Sequence, residues 1–295
     1  MSFEKKLTKQ QIKRYSSTFL DDLIHPKKKD LFKIDEIEKN SNVATCRIKI
    51  NQQKTHPFSE DGFHLSAVPV CEFIDLFIRK LYEEQAILNL MSLEMFCNRP
   101  VRKKTINPDV IIDVNKVENE QKSQNNSNKN LKVSFNIENK SFDGIINYDV
   151  KNHMNLINVN YKTSSVELMN NTFEILDLQV DGLKSYADLN FISNTISHEG
   201  FVLGPGLALT ICSQLVIIHT YAISAVEKKN KGVVVSDYKY FCKENIRSPN
   251  MINYKSKIKN ISPSKKSHKY IKIIVDCYFN NGDCKAELTY YFDPF

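Results

Sequence analysis

The chain has 295 residues, 41% of them hydrophobic and 25% charged, the composition of a globular protein with room for two ordinary domains or one large one. A formal net charge of +7 leaves an acidic ligand open, but the lysines are spread along the chain and gather only in short runs such as Lys27–Lys29 and Lys265–Lys266, so they read as a solvated surface and no nucleic-acid partner is expected. Seven cysteines (Cys46, Cys71, Cys97, Cys212, Cys242, Cys277, Cys284) form no Cys-x-x-Cys pair, which excludes a zinc-type spacing; no metal is expected, and thiols set mostly among apolar residues suit a reducing, cytoplasmic setting.

Residues 1–30 read as a polar N-terminal extension with one short helix, and SFEKKLTKQQ after Met1 holds no apolar signal core. A strand pair follows, FKIDEIE (32–38) and VATCRIKIN (43–51), the second alternating as a half-buried strand does. After the loop or strand end THPFSEDGFHLS (55–66), the spacing predicts a first long helix over Ala67–Glu84. Strands are predicted over LNLMSLEMFC (88–97) and TINPDVIIDVNKV (105–117), and a hairpin over LKVSFNIE (131–138) and GIINYDV (144–150). The polar, low-complexity ENEQKSQNNSNKN (118–130) reads as a disordered loop.

The order then begins again. FEILDLQV (173–180) and ADLNFIS (187–193) form a second opening pair, and TISHEGFVLGPG (195–206) leads into a nearly all-apolar helix within Gly200–Glu227. That helix is too continuously apolar for a surface position and needs cover on most sides, while Gly204, Pro205, Gly206, Ser213, Gln214 and His219 interrupt the run and argue against a membrane span. The later strands are VVVSDYKYFC (233–242), NYKSKIKNIS (253–262), YIKIIVDCYF (270–279) and CKAELTYYF (284–292), the last two separated by the turn signal NNGD.

Gly62-Phe63 stands 138 positions before Gly200-Phe201, Phe32 stands 141 before Phe173, and Arg102 stands 145 before Arg247. A drift of this size is what loop insertions produce, so the chain reads as a duplicated unit of roughly 140 residues and not as a short-period solenoid. Each half is a strand pair, one long helix and a run of strands. The predicted fold class is therefore α+β, a tandem (double) hotdog in which a curved antiparallel sheet wraps one long central helix, with a first unit over 31–160 and a second over 161–295.

GFHLSAVPVCEFIDLFIRKLY (62–82) followed by RPVRKKTINPDV (99–110) resembles the FcoT-like thioesterases, and GFVLGPGLALTICSQL (200–215) with ENIRSPNMINYKSKI (244–258) repeats that layout more loosely. The fused pair also resembles AfsA-type and other double-hotdog proteins, and HEGFVLGPG (198–206) is similar to the histidine-to-Pro-Gly helix start of β-hydroxyacyl dehydratases. The resemblance implies a site at the junction of the two units for a thioester of coenzyme A or of an acyl carrier protein, with no cofactor beyond the one the substrate carries. A homodimer of such chains is an allowed assembly. The dehydratase pattern has an acid fourteen residues after the histidine, where this chain has Cys212; the FcoT-like asparagines correspond to Ser66 and Asp75 in the first unit and to Gly204 and Ser213 in the second.

The candidate residues follow from chemistry as well as from the resemblance. Backbone amides at a helix start lack intrahelical partners and sit at the positive end of the dipole, so the backbone near Ser66 and Ala67, or near Gly204 and Gly206, could polarise a thioester carbonyl; the alternative is that Gly204, Pro205 and Gly206 only make the turn. His198, just before that start, is the candidate general base, with His64 and His56 flanking the first helix as weaker candidates. Glu72 and Asp75 share a face of the first helix with Arg79 a turn further on, either as working carboxylates or as an internal ion pair, whereas the matching face of the second helix carries Thr210 and Ser213. The asymmetry favours one site, with Asp75 or Glu72 and His198 as its catalytic groups. Three functions remain: thioester hydrolysis, dehydration or isomerisation of a hydroxyacyl thioester, and acyl binding without catalysis.

Overall fold

The computed structural model describes residues 4–15, 32–39, 43–50, 63–65, 67–82, 86–99, 101–103, 109–117, 129–152, 171–193, 203–224, 234–243, 251–264 and 270–292. In chain order the elements are β1 (Glu4–Lys6), α1 (Lys9–Tyr15), β2 (Phe32–Lys39), β3 (Val43–Ile50), β4 (Phe63–Leu65), α2 (Ala67–Tyr82), β5 (Ala86–Cys97), β6 (Val101–Lys103), β7 (Asp109–Val117), β8 (Lys129–Ile137), β9 (Phe142–Asn152), β10 (Asn171–Asp181), β11 (Lys184–Ser193), α3 (Pro205–Ser224), β12 (Val234–Cys242), β13 (Met251–Pro263), β14 (Ile271–Phe279) and β15 (Cys284–Phe292). Contacts divide the chain into two compact units: a front unit, Lys28–Leu168, and a back unit, Met1–Lys27 with Met169–Phe295. Lys129 and Asn130, read from sequence as the end of the polar loop, are the first residues of β8; the loop's other residues lie outside the described ones.

In the front unit the strands run β5-β9-β8-β7-β3-β2, every described pairing antiparallel, with β4 and β6 forming a separate two-stranded ribbon. Alternation sets the inner face: Leu131, Val133, Phe135 and Ile137 of β8 are buried, as are Ile146 and Tyr148 of β9. The helix lays Val70, Cys71, Phe73, Ile74, Phe77 and Ile78 against the unit's core, all at 0% exposure. Those positions recur every three to four residues, the spacing of one helical stripe. Pro69 falls in the first turn of α2, where a missing N–H costs no helical bond. Gly144 is forced by proximity: a Cβ there would lie 2.0 Å from the Glu94 carbonyl oxygen and 2.7 Å from Cζ of Phe135.

The back unit's strands run β1-β10-β11-β13-β14-β15-β12. Here the helix α3 is buried nearly all round, fourteen of its twenty residues being buried. By length and composition it could cross a membrane, yet in this fold it is the core helix, covered by its own sheet. The first two elements also belong to this unit. Thr8 and Gln11 close a reciprocal cap on α1, with the Gln11 amide donating to Thr8 Oγ1 (3.2 Å) and the Thr8 amide to Gln11 Oε1 (3.0 Å). β1 extends the edge of β10, Lys6 pairs with Asp177 at 2.8 Å, and α1 packs on α3 with Leu7 and Ile12 buried. The NNGD turn is a tight link between β14 and β15, with positive φ at Asn280 (46°), Asn281 (60°) and Gly282 (106°), a backbone that asparagine and glycine tolerate best.

Gly144→Ala should lower the stability of the front unit by about 1–3 kcal/mol or more, because the clash is with backbone that cannot rotate away. Urea unfolding checks this, and an unchanged midpoint would show that β5 and β9 can separate there at no cost.

Candidate functional site

The start of α3 is built by the back unit's own strands. Gly204 precedes the helix and its carbonyl accepts the first helical bond from Ala208 N–H at 3.0 Å. Pro205 has no N–H, so the amides of Gly206 and Leu207 have no acceptor within the helix. Among the described residues, and apart from its two chain neighbours, no heavy atom lies within 4 Å of where a Cβ on Gly204 would stand. Two buried tyrosines hold this turn: Tyr238 donates to the Pro205 carbonyl at 2.7 Å, and Tyr240 donates to the Leu203 carbonyl. They lie two apart on β12 and so on one face of the sheet, both at 0% exposure, and burial pushes the Tyr240 phenol well above its usual pKa.

Further along α3, Thr220 Oγ1 donates to the Val216 carbonyl at 2.8 Å and lies 2.7 Å from the Tyr290 hydroxyl. His219, fully buried, reaches the Gly182 carbonyl of the β10–β11 turn through Nε2 at 2.8 Å; the acceptor being a carbonyl, Nε2 carries the proton. Its Nδ1 is buried without a partner among the described residues, and burial lowers the ring's pKa from the ordinary 6.5.

Asp75 stands at the middle of α2, in the front unit. Arg79, one turn on, grips it through Nε at 3.0 Å to Oδ1 and 3.1 Å to Oδ2, and Tyr148 of β9 donates its hydroxyl to Oδ1 at 2.7 Å. The guanidinium also donates through Nη1 to the Leu88 carbonyl and lies 5.6 Å from the centre of the Tyr148 ring. The side chains of Asp75 and Arg79 remain 18% and 37% exposed, so the pair keeps a window to water. Burial, then the Asp75 charge, drives the Tyr148 phenol well above its usual pKa and keeps it a donor.

Of the residues singled out from sequence, Ala67 is the half-buried first residue of α2, and His64 lies in β4 with Arg102 of β6 as its register partner. Gly204 and Gly206 lie at the start of α3. Ser213 donates back along the helix to the Thr210 carbonyl at 3.0 Å, and Thr210 does the same to Gly206, also at 3.0 Å. Cys212 is fully buried, its thiol pushed up first by burial and then by the neighbouring Cys277. His198, Ser66 and His56 lie outside the described residues, and of Glu72 only the backbone position in α2 is described. The two tyrosines on β12 escaped the sequence reading, although the Tyr-x-Tyr alternation was a usable signal: buried phenols need acceptors, and a helix start offers carbonyls. An open groove of about 310 Å³ on the sheet face away from α3 is lined by polar groups including Asp177, Gln179, Asp188, Asn253 and Lys255, a lining unsuited to an acyl tail. Among the described residues no group of three His, Cys, Asp or Glu side chains is placed to hold a metal ion.

Asp75→Asn, which leaves Arg79 half-buried without its carboxylate, should cost about 1–3 kcal/mol in urea unfolding, and Tyr148→Phe about 0.5–1.5 kcal/mol; two neutral outcomes would mean that α2 is held by packing alone. His219 gives a pH signature. Its folded pKa lies below the unfolded value, so its contribution is constant above pH 6.5 and falls as pH drops through the interval between the unfolded and folded values, where the unfolded chain binds the proton first. Comparing urea midpoints near pH 7.5 and near pH 5.5, the wild type should lose more stability than His219→Gln over that interval; equal losses would assign the acid sensitivity elsewhere.

No protein-family model matches the sequence, and no curated protein matches it. Among solved structures, the tesB protein of Mycobacterium avium subsp. paratuberculosis superposes with a TM-score of 0.50 at 11% identity, over 94% of this chain and 100% of that one. The acyl-CoA thioesterase II TesB2 of Mycobacterium marinum gives a TM-score of 0.48 at 11% identity, covering 92% of this chain and 96% of its own. The dehydratase domain of the CurJ module of the curacin polyketide synthase gives 0.47 at 10%, covering 88% and 95%. With the repeated order of strand pair, helix and strands in both units, the fold is a tandem hotdog.

Proposed function

We propose that the chain processes acyl thioesters of coenzyme A or of an acyl carrier protein, and that the reaction is hydrolysis. The observation that carries this reading is the start of α3, where the amides of Gly206 and Leu207 stand without helical acceptors and, among the described residues, nothing but its chain neighbours crowds Gly204. A thioester carbonyl is the kind of oxygen such a turn binds, since the helix dipole and amides without a helical acceptor favour developing negative charge. The likeness to the tesB protein supports the same reading. In this proposal Gly204, Gly206 and Ser213, with Ser66, Ala67 and His64 of the front unit, bind the thioester; His198 is the general base, and Asp75 or Glu72 is the carboxylate. The substrate brings its own coenzyme A or phosphopantetheine, and a cytoplasmic setting, where both abound, goes with it. A net charge of +7 suits an acidic carrier protein, whose binding would weaken with salt.

Hydrolysis is favoured over dehydration by two observations. Dehydration needs an acid to protonate the departing hydroxyl, yet Asp75 is bound as an acceptor by Arg79 and Tyr148. The position that the dehydratase pattern gives to an acid is Cys212, a fully buried thiol whose pKa is raised. A panel of short-, medium- and long-chain acyl-CoA substrates with thiol detection, run beside ultraviolet monitoring of enoyl formation, tests the proposal. Free thiol should appear; enoyl product would establish dehydration, and binding without turnover an acyl-binding module. Gly204→Ala, whose added Cβ has no described heavy atom beyond its chain neighbours within 4 Å, should cut turnover about 10-fold while leaving the Tm unchanged. His198→Ala and Asp75→Asn, assayed well below their Tm, should each lower kcat; if both retain it, the residue roles are wrong even where the activity is right.

A further inference from the structure

Two thiols meet on neighbouring strands of the back unit. Cys242, the last residue of β12, is the direct register partner of Cys284, the first of β15, and their sulfurs lie 3.4 Å apart. The Lys243 N–H donates to the Asp283 carbonyl at 2.9 Å, which makes that adjoining pair the hydrogen-bonded one. Cys242 and Cys284 are therefore a non-hydrogen-bonded pair, the kind whose Cα atoms stand roughly 4.5 Å apart with side chains closest together. That separation lies at the short end of the range a disulfide spans. Both side chains point to the sheet face that carries Tyr238, Tyr240, Ala286 and Leu288.

We propose that Cys242 and Cys284 form a reversible intramolecular disulfide, a modification site whose co-reactant is a small-molecule disulfide of the glutathione class. The two thiols differ in the way such a site requires. Cys242 is half-buried at a strand end and reachable from solvent, whereas Cys284 is 1% exposed. The Cys284 thiol, donating to Cys242, draws the pKa of Cys242 down, and the same contact followed by burial pushes that of Cys284 up. Cys242 is thus the attacking thiolate and Cys284 the resolving thiol. In the first step the Cys242 thiolate attacks one sulfur of the co-reactant, forming a mixed disulfide and expelling a thiolate. In the second, Cys284 gives up its proton to that thiolate or to water and attacks Cys242 Sγ, expelling the second thiolate, which solvent protonates. Two electrons pass from the cysteine sulfurs to the co-reactant, so one protein dithiol and one small disulfide become one protein disulfide and two small thiols. A reversible pair of this kind is the form in which disulfides occur in reducing compartments. Cys284 Sγ also lies 3.3 Å from the Tyr240 hydroxyl that holds Leu203, so the modified sulfur is one side chain away from the start of α3. The site stands on the strand register and does not depend on the thioester reading.

The test uses the folded full chain treated with oxidised glutathione, alkylated, digested and mapped by mass spectrometry. The expected product is a peptide linking Cys242 to Cys284 within one chain, with the loss of two reactive thiols and their recovery on addition of dithiothreitol. Phenylarsine oxide, which bridges two adjacent thiols, should block the oxidation. Cys242→Ser should abolish the link, and Cys284→Ser should leave glutathione on Cys242. A wild-type protein that keeps glutathione on Cys242, links its chains to one another, or leaves both cysteines open to alkylation overturns the proposal.

Discussion

A helix apolar around its whole circumference is stable in water only if something covers every side of it. α3 sets that demand, and one flat sheet cannot meet it. Seven strands spaced about 4.8 Å apart span roughly 29 Å, nearly three times the ~10 Å width of a helix. Yet α3 reaches Gly182 at the β10–β11 turn, Cys277 on β14, Tyr290 on β15 and both tyrosines of β12, residues drawn from almost the full width of the strand order. Since α3 is itself about 30 Å long, the telling contacts are those at one level. His219 and Thr220, adjacent in the helix, meet Gly182 at the β10–β11 turn and Tyr290 on β15, at least three strand spacings or roughly 14 Å apart, as they do when a sheet curls round its helix in a hotdog unit.

Covering a helix in this way buries polar atoms as well as apolar ones, and the fold answers with neutral side chains. At one end of α3 the phenols of Tyr238 and Tyr240 hold the carbonyls of Pro205 and Leu203; towards the other, Thr220 meets Tyr290 and His219 meets Gly182. Hydroxyls and a neutral imidazole cost little to desolvate compared with ions, and placed at both ends they fix the helix along its axis as well as across it. Within the described part of this interior His219 is where acid acts, because its ring must stay neutral to stay buried.

Most of this architecture was legible in the residues. Alternation located the strands, the NNGD signal marked the turn into β15, and the offset between Gly62-Phe63 and Gly200-Phe201 exposed the duplication, because all three depend on local pattern. The partners of the singled-out groups were not legible. Asp75 and Arg79 show their i,i+4 relation in the sequence, but Tyr148 comes from a strand 73 residues away and enters only through the β5–β9 and β9–β8 registers. The juxtaposition of Cys242 and Cys284 likewise depends on the register of β12 against β15, which no turn between them sets. Nor could the place of the first two elements be read: the short helix expected in residues 1–30 is α1, but nothing local in residues 4–15 says that they join the edge of β10.

The duplicated units have also diverged in how they hold their helices, and the difference has a physical direction. α2 is apolar on one stripe and anchored at its middle by an ion pair that keeps 18% and 37% of its side chains in water. Ions so placed need that window, because fully buried they would cost far more than their attraction returns. α3 has no charged residue and is anchored at its ends by neutral groups, so it can be sealed. The sealed helix offers at its start amides without helical acceptors, where the helix dipole favours negative charge, while the solvated helix keeps its carboxylate within reach of water. A chain made of two diverged copies can thus keep a sealed helix in one and a solvated carboxylate in the other, two conditions that a single helix could not meet at once.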